Sequence, residues 1–238
     1  MTSPTWTLRR FIIAGLLAVC SASAASAATL KLNTTNYSHV GGVFAVTNSD
    51  LDTSSYSSLA MFASVSGNNG LGFGTFCLEY SEPFNPGQTF TYSIAAYANA
   101  GGVGGQTSPG QDPISRGTAW LYSQFATGSL ADYLYAGSVA QQKASALSLQ
   151  NAFWFLEDEG EGSLANVYVT RAIEEFGSLA DAKSAANGLF GVQVLNLTQG
   201  STRKQSQLYY HQAPEAGATA VMLVLGCVAL AGLRRKLI

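Results

Sequence analysis

Apolar and polar positions alternate in short runs over the first third of the chain, then shift to a helical spacing, then return to alternation. Runs at Thr29–Leu32, Val43–Thr47, Leu59–Val65, Phe73–Glu79 and Thr89–Ala95 predict β-strands. Strands place successive side chains on opposite faces, so a half-buried strand alternates. Asn48-Ser49-Asp50 and Ser66-Gly67-Asn68-Asn69-Gly70 punctuate these runs, and Glu82 to Gly87 holds two prolines in a turn. Residues 99–110, NAGGVGGQTSPG, predict a loop. No Gly-Lys-Ser/Thr follows it, which excludes a phosphate cradle of the P-loop kind.

Helical spacing begins near Asp112, read as an N-cap with Pro113 at the first helical position, and runs to about Ala126. A second helix is predicted over 140–157, with the stripe Ala146, Leu149, Phe153 and Leu156. At about 100° per residue Gln150 falls at the edge of that stripe, half-buried and able to point at a strand. A third helix is predicted over 164–176, stopping at Gly177, and a fourth starts at Ser178 and ends by Gly188. Alternation resumes over Phe190–Leu197 and Gln205–Tyr209, with Gln199-Gly200-Ser201 as a hairpin turn. The expected fold is α+β: an antiparallel β-sandwich or barrel with a helical insertion at about 112–188.

Both ends of the chain carry a different pattern. Arg9 and Arg10 precede an apolar run, Phe11 to Val19, and Ala25-Ser26-Ala27 offers a cleavage site. Residues 1–27 therefore predict a secretory signal peptide. At the other end, Pro214-Glu215-Ala216-Gly217 leads into an apolar segment, 218–233, closed by Arg234, Arg235 and Lys236. That segment is near the lower length limit for a single transmembrane helix, and the basic cluster favours its cytoplasmic side. A plain tail anchor is the simplest alternative.

Between these ends lie 186 residues, 28–213, enough for one domain with a sizeable core. Seven basic and thirteen acidic side chains leave it a net charge of −6. With no basic patch, nucleic acid is excluded as an expected partner. Cys20 belongs to the signal peptide and Cys227 to the tail, so Cys77 is left alone in an exported domain. It is expected to be buried, paired between chains, or chemically used.

The tail order of motif, apolar helix and basic cluster resembles the C-terminal sorting signals of exosortase substrates, of the PEP-CTERM and VPDSG-CTERM type, with Pro214, Glu215, Gly217, Arg234, Arg235 and Lys236 as the matching residues. Ala213 departs from the usual Val before the proline. The resemblance implies a Gram-negative-type bacterium. It implies processing by signal peptidase and exosortase, an inner-membrane intermediate held by 218–233, and delivery to the outer surface or an exopolysaccharide matrix. Two further segments, Phe76-Cys77-Leu78-Glu79 and Gln150-Asn151-Ala152-Phe153-Trp154, resemble the paired motifs of Cys–Gln thioester domains. Leu149 stands where those domains usually have Thr. The resemblance implies an internal thioester between Cys77 and Gln150, with Glu79, Ala152 and Trp154 in support, that surface amines would open in adhesion. The competing expectation is a structural matrix protein with an inert Cys77.

Other constellations are weaker. Glu157-Asp158-Glu159-Gly160-Glu161 lacks the spaced ligand ladder of a calcium loop and reads as a solvated helix end. His39 and His211 lack ligand spacing, so neither a metal nor a cofactor is expected. No Gly-x-Ser-x-Gly elbow occurs, and Glu79 and Glu82 fall on opposite strand faces, which disfavours a secreted hydrolase. The chain is read as a non-enzyme, with at most single-turnover covalent chemistry.

Overall fold

The computed structural model describes residues 27–39, 42–47, 49–56, 72–99, 102–104, 110–160 and 162–211. The expected sorting tail, the expected strand Leu59–Val65 and all but the last residue of the expected signal peptide lie outside the described residues. Among the described residues, no helix is long and apolar enough to cross a membrane.

The fold is α+β with antiparallel strands. It runs β1 (Thr29–His39), β2 (Gly42–Thr47), β3 (Phe73–Phe76), β4 (Thr89–Ala95), β5 (Tyr97–Ala98) and β6 (Asp112–Pro113). The helices α1 (Arg116–Ala126), α2 (Val139–Leu156), α3 (Val167–Phe176) and α4 (Leu179–Lys183) follow, then β7 (Val192–Gln199) and β8 (Thr202–Tyr210). Six strands form one sheet in the order β3-β2-β1-β4-β7-β8, and β5 pairs with β6 apart from it. Because β4 and β7 pair directly, the whole helical segment is an excursion between two neighbouring strands.

The two edge strands of this sheet meet. Cys77, just beyond β3, forms an antiparallel bridge with Gln207 of β8, and the Leu78 N–H donates to Ser206 O at 3.1 Å. Thr75 Oγ1 donates to Leu208 O at 2.7 Å. Tyr122 Oη of α1 lies 2.9 Å from Gly74 O and 3.0 Å from Leu208 O, so its proton is shared between both edges. Exposed edges invite pairing with other chains, and this arrangement uses theirs internally.

The helices cover the sheet, with α2 on β1 and β2 and α1 on β7 and β8. The stripe Ala146, Leu149, Phe153 and Leu156 is buried as its spacing predicts. Phe76 meets Phe125 and Phe153 edge-on, with ring centroids 5.0 and 5.2 Å apart. Such pairs contribute beyond the area they bury.

Local signals set most boundaries. Ser138 and Gln141 form a reciprocal capping box at the start of α2. Gly177 ends α3 in the left-handed conformation at φ 83°. The expected cap at Asp112 is corrected: Ser115 caps α1 by accepting from the Thr118 N–H, and Asp112-Pro113 is the short strand β6. A Ser two residues past the proline competes for the cap, and pairing with Tyr97-Ala98 holds the proline extended.

Phe153→Ala removes a fully buried ring from between Phe76 and Tyr122. It is expected to lower stability by about 3–5 kcal/mol, read from urea denaturation. A loss under about 1 kcal/mol would contradict this packing.

Candidate functional site

Cys77 sits where the chain leaves β3, and its main chain needs partners on both sides. One side is the bridge to Gln207. The other is the side chain of Gln150, two turns from the end of α2. The Cys77 N–H donates to Gln150 Oε1 at 3.0 Å, and Gln150 Nε2 donates to Cys77 O at 2.8 Å. This two-point contact fixes the orientation of the amide, since only the oxygen can accept and only the nitrogen can donate.

Cys77 and Gln150 are both fully buried, so Gln150 lies deeper than the half-buried edge its helical angle predicts. Gly42 of β2 leaves room for it there. A Cβ at Gly42 would stand 2.4 Å from a Phe76 ring carbon and 3.0 Å from Gln150 Oε1, so only glycine lets β2 lie against the pair. Gln207 Nε2 donates to Cys77 Sγ at 3.4 Å. Burial nonetheless pushes the Cys77 thiol far above its ordinary value, so the sulfur is held as a neutral thiol.

The other expected site residues spread out along the same elements. Ala152 is fully buried, and Trp154 packs edge-on against Tyr80 with ring centroids 4.9 Å apart. Glu79 does not face the Cys77–Gln150 pair. Its carboxylate groups with those of Asp112 and Glu159, one oxygen from each lying within 4.8 Å of the others. Its carbonyl accepts from Gln205 Nε2. The residues Pro214, Glu215, Gly217, Arg234, Arg235 and Lys236 lie outside the described residues.

The reading of 157–161 as a solvated helix end is corrected for two of its residues. Glu157 and Glu159 are buried, while Asp158 pairs with Lys183 at the surface. Glu157 accepts from the Ser115 N–H at 3.1 Å and from Ser115 Oγ at 2.7 Å. Glu159 accepts from the N–H groups of Tyr80, Val103 and Gly104 at 2.8, 2.8 and 3.0 Å. These donors come from distant segments, so an acidic run alone could not reveal them. Gln205 and Gln207 were also missed as site residues, although they share one face of β8.

Desolvation pushes the Glu79 carboxyl up to about 9 from an ordinary 4.5, with Asp112 and Glu159 adding repulsion. Desolvation first, then Glu157 and Glu159, push Asp112 up to about 7 from 3.8. Both groups hold protons in the folded chain that they release when unfolded. Their contribution is therefore full below the unfolded values and lost as pH rises through 7 and 9. With divalent cations chelated, Tm is expected to fall steadily from about pH 5 to about pH 9. A flat or rising profile across that range would contradict the burial of these carboxyls.

No protein-family model, no curated protein and no solved structure matches this chain.

Proposed function

We propose that the chain is an exported surface or matrix protein that tethers itself covalently through an internal thioester between Cys77 and Gln150. The observation that carries this reading is the two-point contact between the Gln150 amide and the Cys77 main chain. It holds the amide against the residue whose sulfur would attack it. The Cys77 N–H already points at Gln150 Oε1, where negative charge would develop in a tetrahedral intermediate.

The step balances without another reagent. Sγ bonds to the side-chain carbonyl carbon of Gln150, and the C–N bond to Nε2 breaks. The thiol proton leaves with the nitrogen as ammonia. Burial holds Sγ as a thiol rather than the more nucleophilic thiolate, so its proton has to pass to the departing nitrogen as the C–S bond forms. The product is an acyl electrophile, sealed by Phe76 and Phe153 until an amine opens it.

The flanking segments supply the address in this reading. Signal peptidase removes residues 1–27, and an exosortase cuts near Pro214 after 218–233 has held the chain in the inner membrane. The domain, 28–213, is then a β-barrel-like body, its helices falling within 116–183, displayed on the surface or among exopolysaccharide. Two observations favour the second reading, a structural matrix protein with an inert thiol: Gln207 occupies the sulfur, and Cys77 has no exposed surface.

Intact mass separates the two. Protein purified without amines is expected to weigh about 17 Da less than its sequence, the ammonia lost in nucleophilic acyl transfer. Cys77→Ala and Gln150→Glu should each carry their full mass, and methylamine should add to the wild type alone. A wild-type mass with no deficit contradicts the thioester and leaves the structural reading.

A further inference from the structure

Three acidic side chains from distant parts of the sequence converge beside the Cys77 strand. Glu79 follows β3, Asp112 opens β6, and Glu159 lies just past the end of α2. Glu79, Asp112 and Glu159 are 1%, 5% and 2% exposed. No ion pair with a basic side chain links any of them among the described residues. A buried carboxylate keeps its charge only with such a partner or a metal, and otherwise takes up a proton.

Glu79 Oε2 and Asp112 Oδ1 are buried without a hydrogen-bond partner among the described residues. Glu159 differs in that main-chain N–H groups fix both its oxygens, two at Oε1 and one at Oε2, which leaves a lone pair on Oε2. Gly102 seals the group. A Cβ there would stand 1.8 Å from Glu79 Oε2 and 2.3 Å from Glu159 Oε1, so its backbone lies directly against both carboxylates. Leu78, Ala98, Ile114 and Glu157 pack closely around Glu79 and Asp112, leaving no room for a bulky ligand.

We infer that Glu79, Asp112 and Glu159 form a binding site for a hard divalent cation, Ca2+. All the donors are oxygen, with no His and no thiolate among them, which selects a hard ion over zinc or copper. Oxygens at about 2.3–2.6 Å from Ca2+ can stand up to about 5 Å apart across it, which covers the 4.8 Å spread. Ca2+ takes about 6–8 oxygens, so second carboxylate oxygens and water complete its shell. The ion would tie the end of β3, the strand β6, the 102–104 segment and the end of α2 at one point. It would do so whether or not Cys77 and Gln150 are bonded.

The test uses the full-length chain in mild detergent, stripped with EDTA and titrated with Ca2+ or Mg2+ by calorimetry and thermal unfolding. One Ca2+ per chain is expected, with Kd below about 1 mM. Tm should rise by roughly 5–10 °C at a Ca2+ concentration 100-fold above Kd. The Glu79→Gln/Asp112→Asn variant keeps the side-chain shapes and should lose at least about tenfold in affinity, a step of one factor of ten in Kd. No binding and no Tm shift at about 10 mM Ca2+ would overturn the site. So would an unchanged response in the variant, or a saturable response to Mg2+ alone. Should the variant not fold, metal analysis of the wild type equilibrated with Ca2+ decides, and protein free of calcium overturns the proposal.

Discussion

The structure turns on one amide. Gln150 is a polar side chain on the buried face of a helix, and it is tolerated there because it completes the hydrogen bonding of Cys77. At that point β3 ends and its backbone would otherwise be buried without partners. The helix thus supplies what a neighbouring strand would, an acceptor for one N–H and a donor for one carbonyl. Leaving either group unsatisfied costs about 1–3 kcal/mol. The same contact attaches the helical excursion to the sheet where the edges β3 and β8 meet. It also places a thiol-bearing residue and a carboxamide together in a dry interior, the condition for the thioester we propose.

Much of the fold was legible in the sequence because it depends on local rules. Thr89–Ala95 is the strand its alternation predicts, and Gly177 stops α3 as a left-handed cap should. The stripe from Ala146 to Leu156 fixed the buried face of α2. What escaped was decided by partners far away in the chain. Asp112 is a sound N-cap by type, yet pairing with Ala98 draws it into a strand and leaves the cap to Ser115. Glu157 and Glu159 belong to a run that reads as solvated, yet Ser115, Tyr80, Val103 and Gly104 meet them inside. The pair Cys77 and Gln150 stood out only through its resemblance to a known motif; composition and periodicity alone would have left Gln150 at a stripe edge.

Two polar centres therefore hang from one short segment. Cys77 reaches Gln150 on one side, and Glu79, two residues on, reaches Asp112 and Glu159. Both draw on α2, the first through its last turns and the second through the residues just after it. Filling or emptying the carboxylate group would act on the same strand end that carries the thiol. Cys77 and the acidic cluster are in this sense one structural problem, solved by burying polar groups against each other rather than by excluding them.

Peptide mapping addresses the central claim most directly. Protein digested in acid, without amines or reductant, should yield one cross-linked species containing both the Cys77 and the Gln150 peptides. Recovery of two separate peptides, with the thiol and the carboxamide intact, would contradict the bond and leave the contact between them purely structural.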